Sequence, residues 1–188
     1  MTEYRSVSAD YRFFSYLLLG PRYKKNLKEL LTYIENRTYY KEIKRIIELL
    51  ENQDTDKLLT EYTSCFVNDF RELKCPPYES WYMQRTIYGS IIEKLMANYF
   101  KYGLNVQKEL PDHVSTEMEF VSFLYFVSLD KEADEFVNAH ILKWVPKLAK
   151  DIIENAKGEY TKLIRMALEK FMESELERTL KAKSSSQA

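Results

Sequence analysis

The sequence predicts an all-α protein, on three observations. Only four glycines and five prolines punctuate 188 residues, too few turn signals for a chain of many short strands. Apolar residues return at spacings of three and four along most of the chain, the period of a helix with one buried face. Ser, Thr and Asp stand where several of these stretches begin, as helix N-caps do. A hydrophobic share of 45% and a charged share of 30% are those of a globular chain. A chain of this length buries roughly 70% of its unfolded surface, enough for one self-sufficient core. The expectation is a single helical bundle domain over residues 1–183 with a frayed tail at 184–188.

Ser6 and Ser8 are candidate caps for a first helix, which Gly20 and Pro21 end. A second helical stretch follows Arg22, with Leu27, Leu30, Leu31 and Ile34 on one face. Ile43, Ile46, Ile47 and Leu50 form a clear amphipathic stripe. Asp54-Thr55-Asp56 supplies a cap and first-turn negative charge for a helix carrying Leu58, Leu59, Tyr62, Cys65 and Phe66. Residues 68–80 interrupt the pattern around Pro76-Pro77, where the backbone is forced to be extended. This interruption can serve as a hinge between two helical halves. A long helix is then expected to run to about Tyr102 through Ile87, Ile91, Leu95 and Tyr99, with Gly103 at its C′ position. After a second interruption, Asp112 or Thr116 caps the next helix, Thr116 doing so as a capping box with Glu119. Residues 120–127 are apolar almost all round, which predicts a central, buried helix. Ala133, Phe136, Val137, His140, Ile141 and Trp144 give the following stripe, which Pro146 should break or restart. Tyr160, Leu163, Ile164, Ala167, Leu168 and Phe171 mark the last helix.

Composition excludes several function classes. The 28 basic and 29 acidic residues leave a net charge of -1, so no global field drives nucleic-acid binding. The longest near-apolar stretch, residues 120–129, is far short of the ~20 residues that span a bilayer. No signal-peptide layout is visible, and a cytoplasmic location without membrane insertion is expected. The two cysteines, Cys65 and Cys75, are not a CxxC pair and are expected as reduced thiols. No phosphate-cradling glycine loop is present, and neither histidine, His113 or His140, sits in an HExxH pattern. No catalytic residue, metal site or cofactor is expected from these patterns.

Two constellations stand out. In Pro76-Pro77-Tyr78-Glu79-Ser80-Trp81-Tyr82 a rigid diproline precedes alternating aromatic and polar residues. This is either a preformed peptide-recognition edge or a loop pinned by its aromatics with Glu79 or Ser80 capping a helix. In residues 111–120, His113 and Glu117 lie four apart, and Glu117 and Glu119 fall in a first helical turn. This is either a polar cluster for a cationic peptide group or a dipole-matched helix start. His140 shares an apolar stripe with Trp144, as a satisfied core histidine would.

At these residues the sequence resembles a known family. Pro77-Tyr78-Glu79-Ser80, with Tyr82, resembles a P-Y-E-S-x-Y segment. Pro111-Asp112-His113-Val114 through Glu117-Met118-Glu119-Phe120 resembles P-D-H-[LIV]…E-x-E-F. His140 through Pro146 resembles H-x-x-x-W-x-P. In order and spacing these are similar to the TorD/DmsD/NarJ redox-enzyme maturation chaperones over residues 61–146; Val121 stands where Met is frequent. The resemblance implies an all-α fold without enzymatic chemistry. It implies a chaperone that binds the N-terminal leader, often a twin-arginine signal peptide, of a molybdopterin oxidoreductase precursor until its cofactor is inserted. It carries Tyr78, Glu79, Ser80, Trp81, Tyr82, Asp112, His113, Glu117, Glu119, His140 and Trp144 as candidate peptide-binding residues. It leaves open a weak guanine-nucleotide association, and either a monomer or a homodimer that exchanges helical halves. A helical interaction or regulatory protein with a different protein partner is the competing reading.

Overall fold

A computed structural model of the chain describes residues 3–67, 74–107 and 109–185. Among these residues the architecture is all-α. The helices are α1 (Glu3–Leu17), α2 (Lys24–Leu30), α3 (Tyr40–Asn52), α4 (Thr55–Phe66), α5 (Glu79–Gln84), α6 (Ile91–Lys101), α7 (Val114–Phe126), α8 (Asp130–Phe136), α9 (Leu142–Asn155) and α10 (Glu159–Ser185). Short 3₁₀ turns at Pro21–Tyr23 and Leu31–Tyr33 flank α2. A π-helical turn, Val137–Ile141, joins α8 to α9.

Helix α7 runs along α1, and α10 packs on α3, α4 and α9. N-terminal and C-terminal elements therefore interleave in one core rather than forming two separate halves. The α1–α7 contact is held close by two small residues. Ser8 Oγ donates to the Ser122 carbonyl at 2.9 Å, and Ser122 Oγ donates to the Ser8 carbonyl at 2.8 Å. At the other side of α1, Phe14 stacks on Phe171 of α10 with ring centroids 4.3 Å apart, and Tyr39 meets both rings edge-on. Offset-stacked and edge-on pairs of this kind add to the plain burial of aromatic area.

Several expected features appear as read. Ile43, Ile46, Ile47 and Leu50 of α3 are buried together. Asp54 caps α4 by accepting from the Asp56 amide. Gly103 takes the left-handed conformation after α6, at φ +72°. Others differ. Ser6 and Ser8 lie inside α1, which begins at Glu3, so they bond across to neighbouring elements instead of capping it. The long helix expected up to Tyr102 is two helices, α5 and α6. Arg85 and Tyr88 adopt positive φ between them, and the Gln84 side chain takes over the Ile91 amide and the Ser90 hydroxyl. Neither Asp112 nor Thr116 caps α7; the His113 ring accepts from the Ser115 amide at 3.2 Å. Pro146 does not break its helix. It lies inside α9, five residues past the π turn. Helix α10 continues through Ser184 to Ser185. The rest of the expected tail, and residues 68–73 of the expected hinge, lie outside the described residues.

The cysteines also differ from expectation. Cys65 and Cys75 form a disulfide, with Cα atoms 5.2 Å apart, inside the range a disulfide bridges. The Cys75 amide donates to the Cys65 carbonyl at 2.9 Å. That backbone bond brings the end of α4 and the diproline strand together, a closure that a spacing of ten residues does not reveal.

Candidate functional site

The site begins with the diproline. Pro76-Pro77 holds the following backbone extended, and Tyr78 pairs antiparallel with His113. The Val114 amide donates to the Pro77 carbonyl at 2.8 Å, and the Glu79 amide to the Asp112 carbonyl at 2.9 Å. The N-termini of α5 and α7 are thereby clamped side by side. Their unsatisfied amides carry partial positive charge into one small volume, which favours carboxylates there.

Three carboxyl groups occupy that volume. Glu79, Asp112 and Glu117 are all essentially without exposure to solvent. Asp112 Oδ2 accepts from the Ser80 amide at 3.1 Å. Glu79 faces His140, whose Nδ1 lies 2.9 Å from Oε2 and 3.1 Å from Oε1. Glu117 Oε2 accepts from the Trp144 indole N–H at 3.1 Å. Burial raises the Glu117 pKa well above the usual carboxyl range. The nearby charge of Glu79 raises it further, against the opposing effect of the indole N–H. Glu117 Oε1 meets no donor from the surrounding heavy atoms. A proton held between it and Glu79 supplies the missing hydrogen bond and spares the site one negative charge. Burial pushes the His113 imidazole down to about 4, so it is neutral at pH 7 and free to accept as the α7 cap. The π turn places His140 on the network, and its ring stacks on Phe136 at 4.4 Å.

Nine of the eleven candidate residues thus form one connected network: Tyr78, Glu79, Ser80, Tyr82, Asp112, His113, Glu117, His140 and Trp144. Tyr82 stacks on Trp144 at 5.6 Å and donates to Asp151 at 2.8 Å. Trp81 is partly buried against the core beside them. Glu119 stands apart on an exposed face of α7, in an ion pair with Arg12. Most of the network is buried, so these side chains shape the site from beneath.

Above it lies the surface feature the sequence did not reveal. A cleft of about 1090 Å³ opens between α1, α2, α7, residues 104–107 and Glu109. Its walls are mainly apolar and aromatic, including Tyr16, Tyr23, Tyr33, Phe120, Phe123 and Phe126. The cleft explains why α7 is not buried all round: Phe126 is 72% exposed. Glu109, Glu119 and Arg12 bring charge to the lining. Ser115 and Tyr99 link cleft to network. Ser115 Oγ lies 2.6 Å from His113 Nδ1. Tyr99 lines the cleft, and its hydroxyl pKa is raised well above its ordinary value by burial and by the charges of Glu117, Glu79 and Asp112. The i, i+4 spacing of Arg12 and Tyr16 on α1 is a signal that could have pointed to this wall and was not read; the contributions of α2, residues 104–107 and Glu109 carry none.

Among the described residues no group of three His, Cys, Asp or Glu side chains is arranged to hold a metal ion. Among them, too, no helix is long and apolar enough to cross a membrane.

Among the described residues the protein is an all-helical body with an open, mainly apolar cleft over a buried polar network. The family model described as nitrate reductase delta subunit matches residues 23–150. The chain belongs to this NarJ/TorD-type family, whose general role is in redox-enzyme maturation and not in catalysis. Among solved structures, it is similar to the "Putative Redox Enzyme Maturation Protein" of Archaeoglobus fulgidus at 27% identity, with a TM-score of 0.61, over 92% of this chain and 95% of that one. No curated protein matches the chain.

Proposed function

We propose that this protein is a chaperone that binds the N-terminal leader peptide of a molybdopterin oxidoreductase precursor and holds it, in the cytoplasm, until the cofactor is inserted. The observation that carries this reading is the cleft. A leader is an apolar run preceded by cationic residues, and it needs apolar groove surface with carboxylates at hand. The cleft offers aromatic walls on two helices, with Glu109 and Glu119 among them. The buried network of Glu79, Asp112, His113, Glu117, His140 and Trp144 supports it from below by fixing the start of α7. In this reading most candidate residues position the groove, while Glu119 contacts the peptide. Family membership and the Archaeoglobus fulgidus likeness support a maturation role.

The test is affinity capture of the tagged protein from its native cell extract, followed by calorimetry with the leader of any oxidoreductase precursor recovered. Capture of a precursor with its leader attached, and saturable binding of that leader, is the expected result. A Phe123→Glu, Phe126→Glu double variant should lose the binding while keeping its helical signal. A leader that binds this variant as tightly as the parent protein would rule the cleft out.

A further inference from the structure

We propose that Glu119 and Tyr16 form a guanidinium subsite in the cleft, and that Arg12 fills it as an intramolecular surrogate until an arginine of the bound peptide displaces it. The inference rests on the peptide-cleft reading above and names one contact within it.

Three features that recognise a guanidinium converge on Arg12. Its Nη1 is paired with Glu119 Oε1 across the α1–α7 boundary. Its Nη2 donates to the Tyr16 hydroxyl at 2.9 Å. Its guanidinium carbon lies 4.7 Å from the centre of the Tyr16 ring, and that ring is itself stacked with Tyr23 at 5.7 Å. A carboxylate, a hydroxyl and an aromatic face together match a planar, delocalised cation better than a point-charge ammonium. All four side chains line the cleft.

The occupant is replaceable. The Arg12 side chain is 34% exposed and that of Glu119 55%, and ion pairs this open to water are weak. Among the described lining residues Arg12 is the one cation, set against Glu109 and Glu119. When Arg12 swings out, the lining keeps both carboxylates and gains a vacant aromatic face. An incoming arginine restores the same contacts, so the exchange conserves charge inside the cleft.

The probes are two synthetic peptides. One has a pair of arginines ahead of a twelve-residue Leu/Ala run; the other has citrulline, uncharged and of equal shape, in place of both arginines. Calorimetry is run on the full chain, on Arg12→Ala and on Glu119→Gln, with helical content checked by circular dichroism. The parent protein should prefer the arginine peptide. Arg12→Ala should bind it about three- to fivefold more tightly, the factor by which an exposed ion pair holds its closed state, and should leave citrulline-peptide affinity unchanged. Glu119→Gln should lower the arginine peptide to the level of the citrulline one. Equal or weaker binding of the arginine peptide by Arg12→Ala overturns the proposal. So does equal binding of both peptides by all three proteins, which leaves the cleft reading standing. Failure of either peptide to bind any of the three removes both readings.

Discussion

Glu117 and His113 make opposite demands on pH, and both can be tested singly. The native state keeps a proton on Glu117 that an unfolded chain releases above about pH 4.3. Its contribution to stability is therefore greatest in acid and lost as pH rises towards its native pKa. Glu117→Gln keeps the shape, still accepts from Trp144 and donates to Glu79, but cannot ionise. The stability of this variant relative to the parent should climb from pH 5 to pH 8 in urea titrations. Glu117→Ala strands the Trp144 N–H and should cost about 1–3 kcal/mol. For His113 the sign reverses. Its native pKa of about 4 lies below the unfolded value, so stability is complete above about pH 6.5 and falls as pH drops towards 4, by on the order of 3 kcal/mol. His113→Asn keeps an N-cap acceptor and does not titrate. The difference in melting temperature between parent and variant should change across pH 6.5 to 4 and be flat above. At this scale the sequence singles out residues that the structure brings into one network, and is silent about how they meet. Glu117, Trp144, Glu79 and His140 were all legible as a set. That three carboxyl groups share one buried volume depends on two helix starts being clamped together, which no local spacing encodes.

Elements were legible where one face of a helix meets the core. The stripes of α3 and α10 carry their own period, and burial simply follows it. The break between α5 and α6 escaped because the apolar spacing of Ile87, Ile91, Leu95 and Tyr99 runs straight through it. What ends α5 is Arg85 in the left-handed region, its amide donating back to the Trp81 carbonyl at 3.1 Å, a conformation that an arginine does not announce in the sequence. Gly20 is a case where the turn was readable and its partner was not. It ends the α1 segment at φ +99°, and a methyl group there would meet the Tyr62 ring at 3.2 Å. Tyr62 donates to the Leu18 carbonyl at 3.0 Å, which fixes that ring in place. Gly20→Ala should therefore cost about 1–3 kcal/mol through backbone strain, measured by urea unfolding. Tyr62→Phe should cost about 1 kcal/mol through the lost hydrogen bond alone.

For the whole molecule, the Cys65–Cys75 link joins the end of α4 to the strand that starts the site. Closing a loop of this length should stabilise the fold by about 2.5–3 kcal/mol, mainly by restricting the unfolded chain. Thermal unfolding with and without a dithiol reductant measures it, and thiol titration of the unfolded, unreduced chain should find both cysteines blocked. Disulfides are scarce in the cytosol of mesophiles but common inside hyperthermophiles, so the redox state in cells also bears on the proposed location. The all-α class followed from low glycine and proline content with helical periodicity, and it holds. The cleft was invisible for the opposite reason. It is made of apolar residues on several helices, and a sequence marks such residues as apolar without saying which of them remain uncovered.

Helix α7 is a partition wall. Ser115, Glu119, Ser122 and Phe126 recur at spacings of four, three and four and face the cleft, while Glu117, Val121 and Leu124 face the interior. Ser115 and Ser122 serve both sides, through His113 and Ser8, while Glu119 and Phe126 answer to the cleft. Mutation at Glu119 and Phe126 can therefore redraw the outer surface for a new client while the inner surface stays unchanged, and a single helix can retain its structural duty through changes of partner.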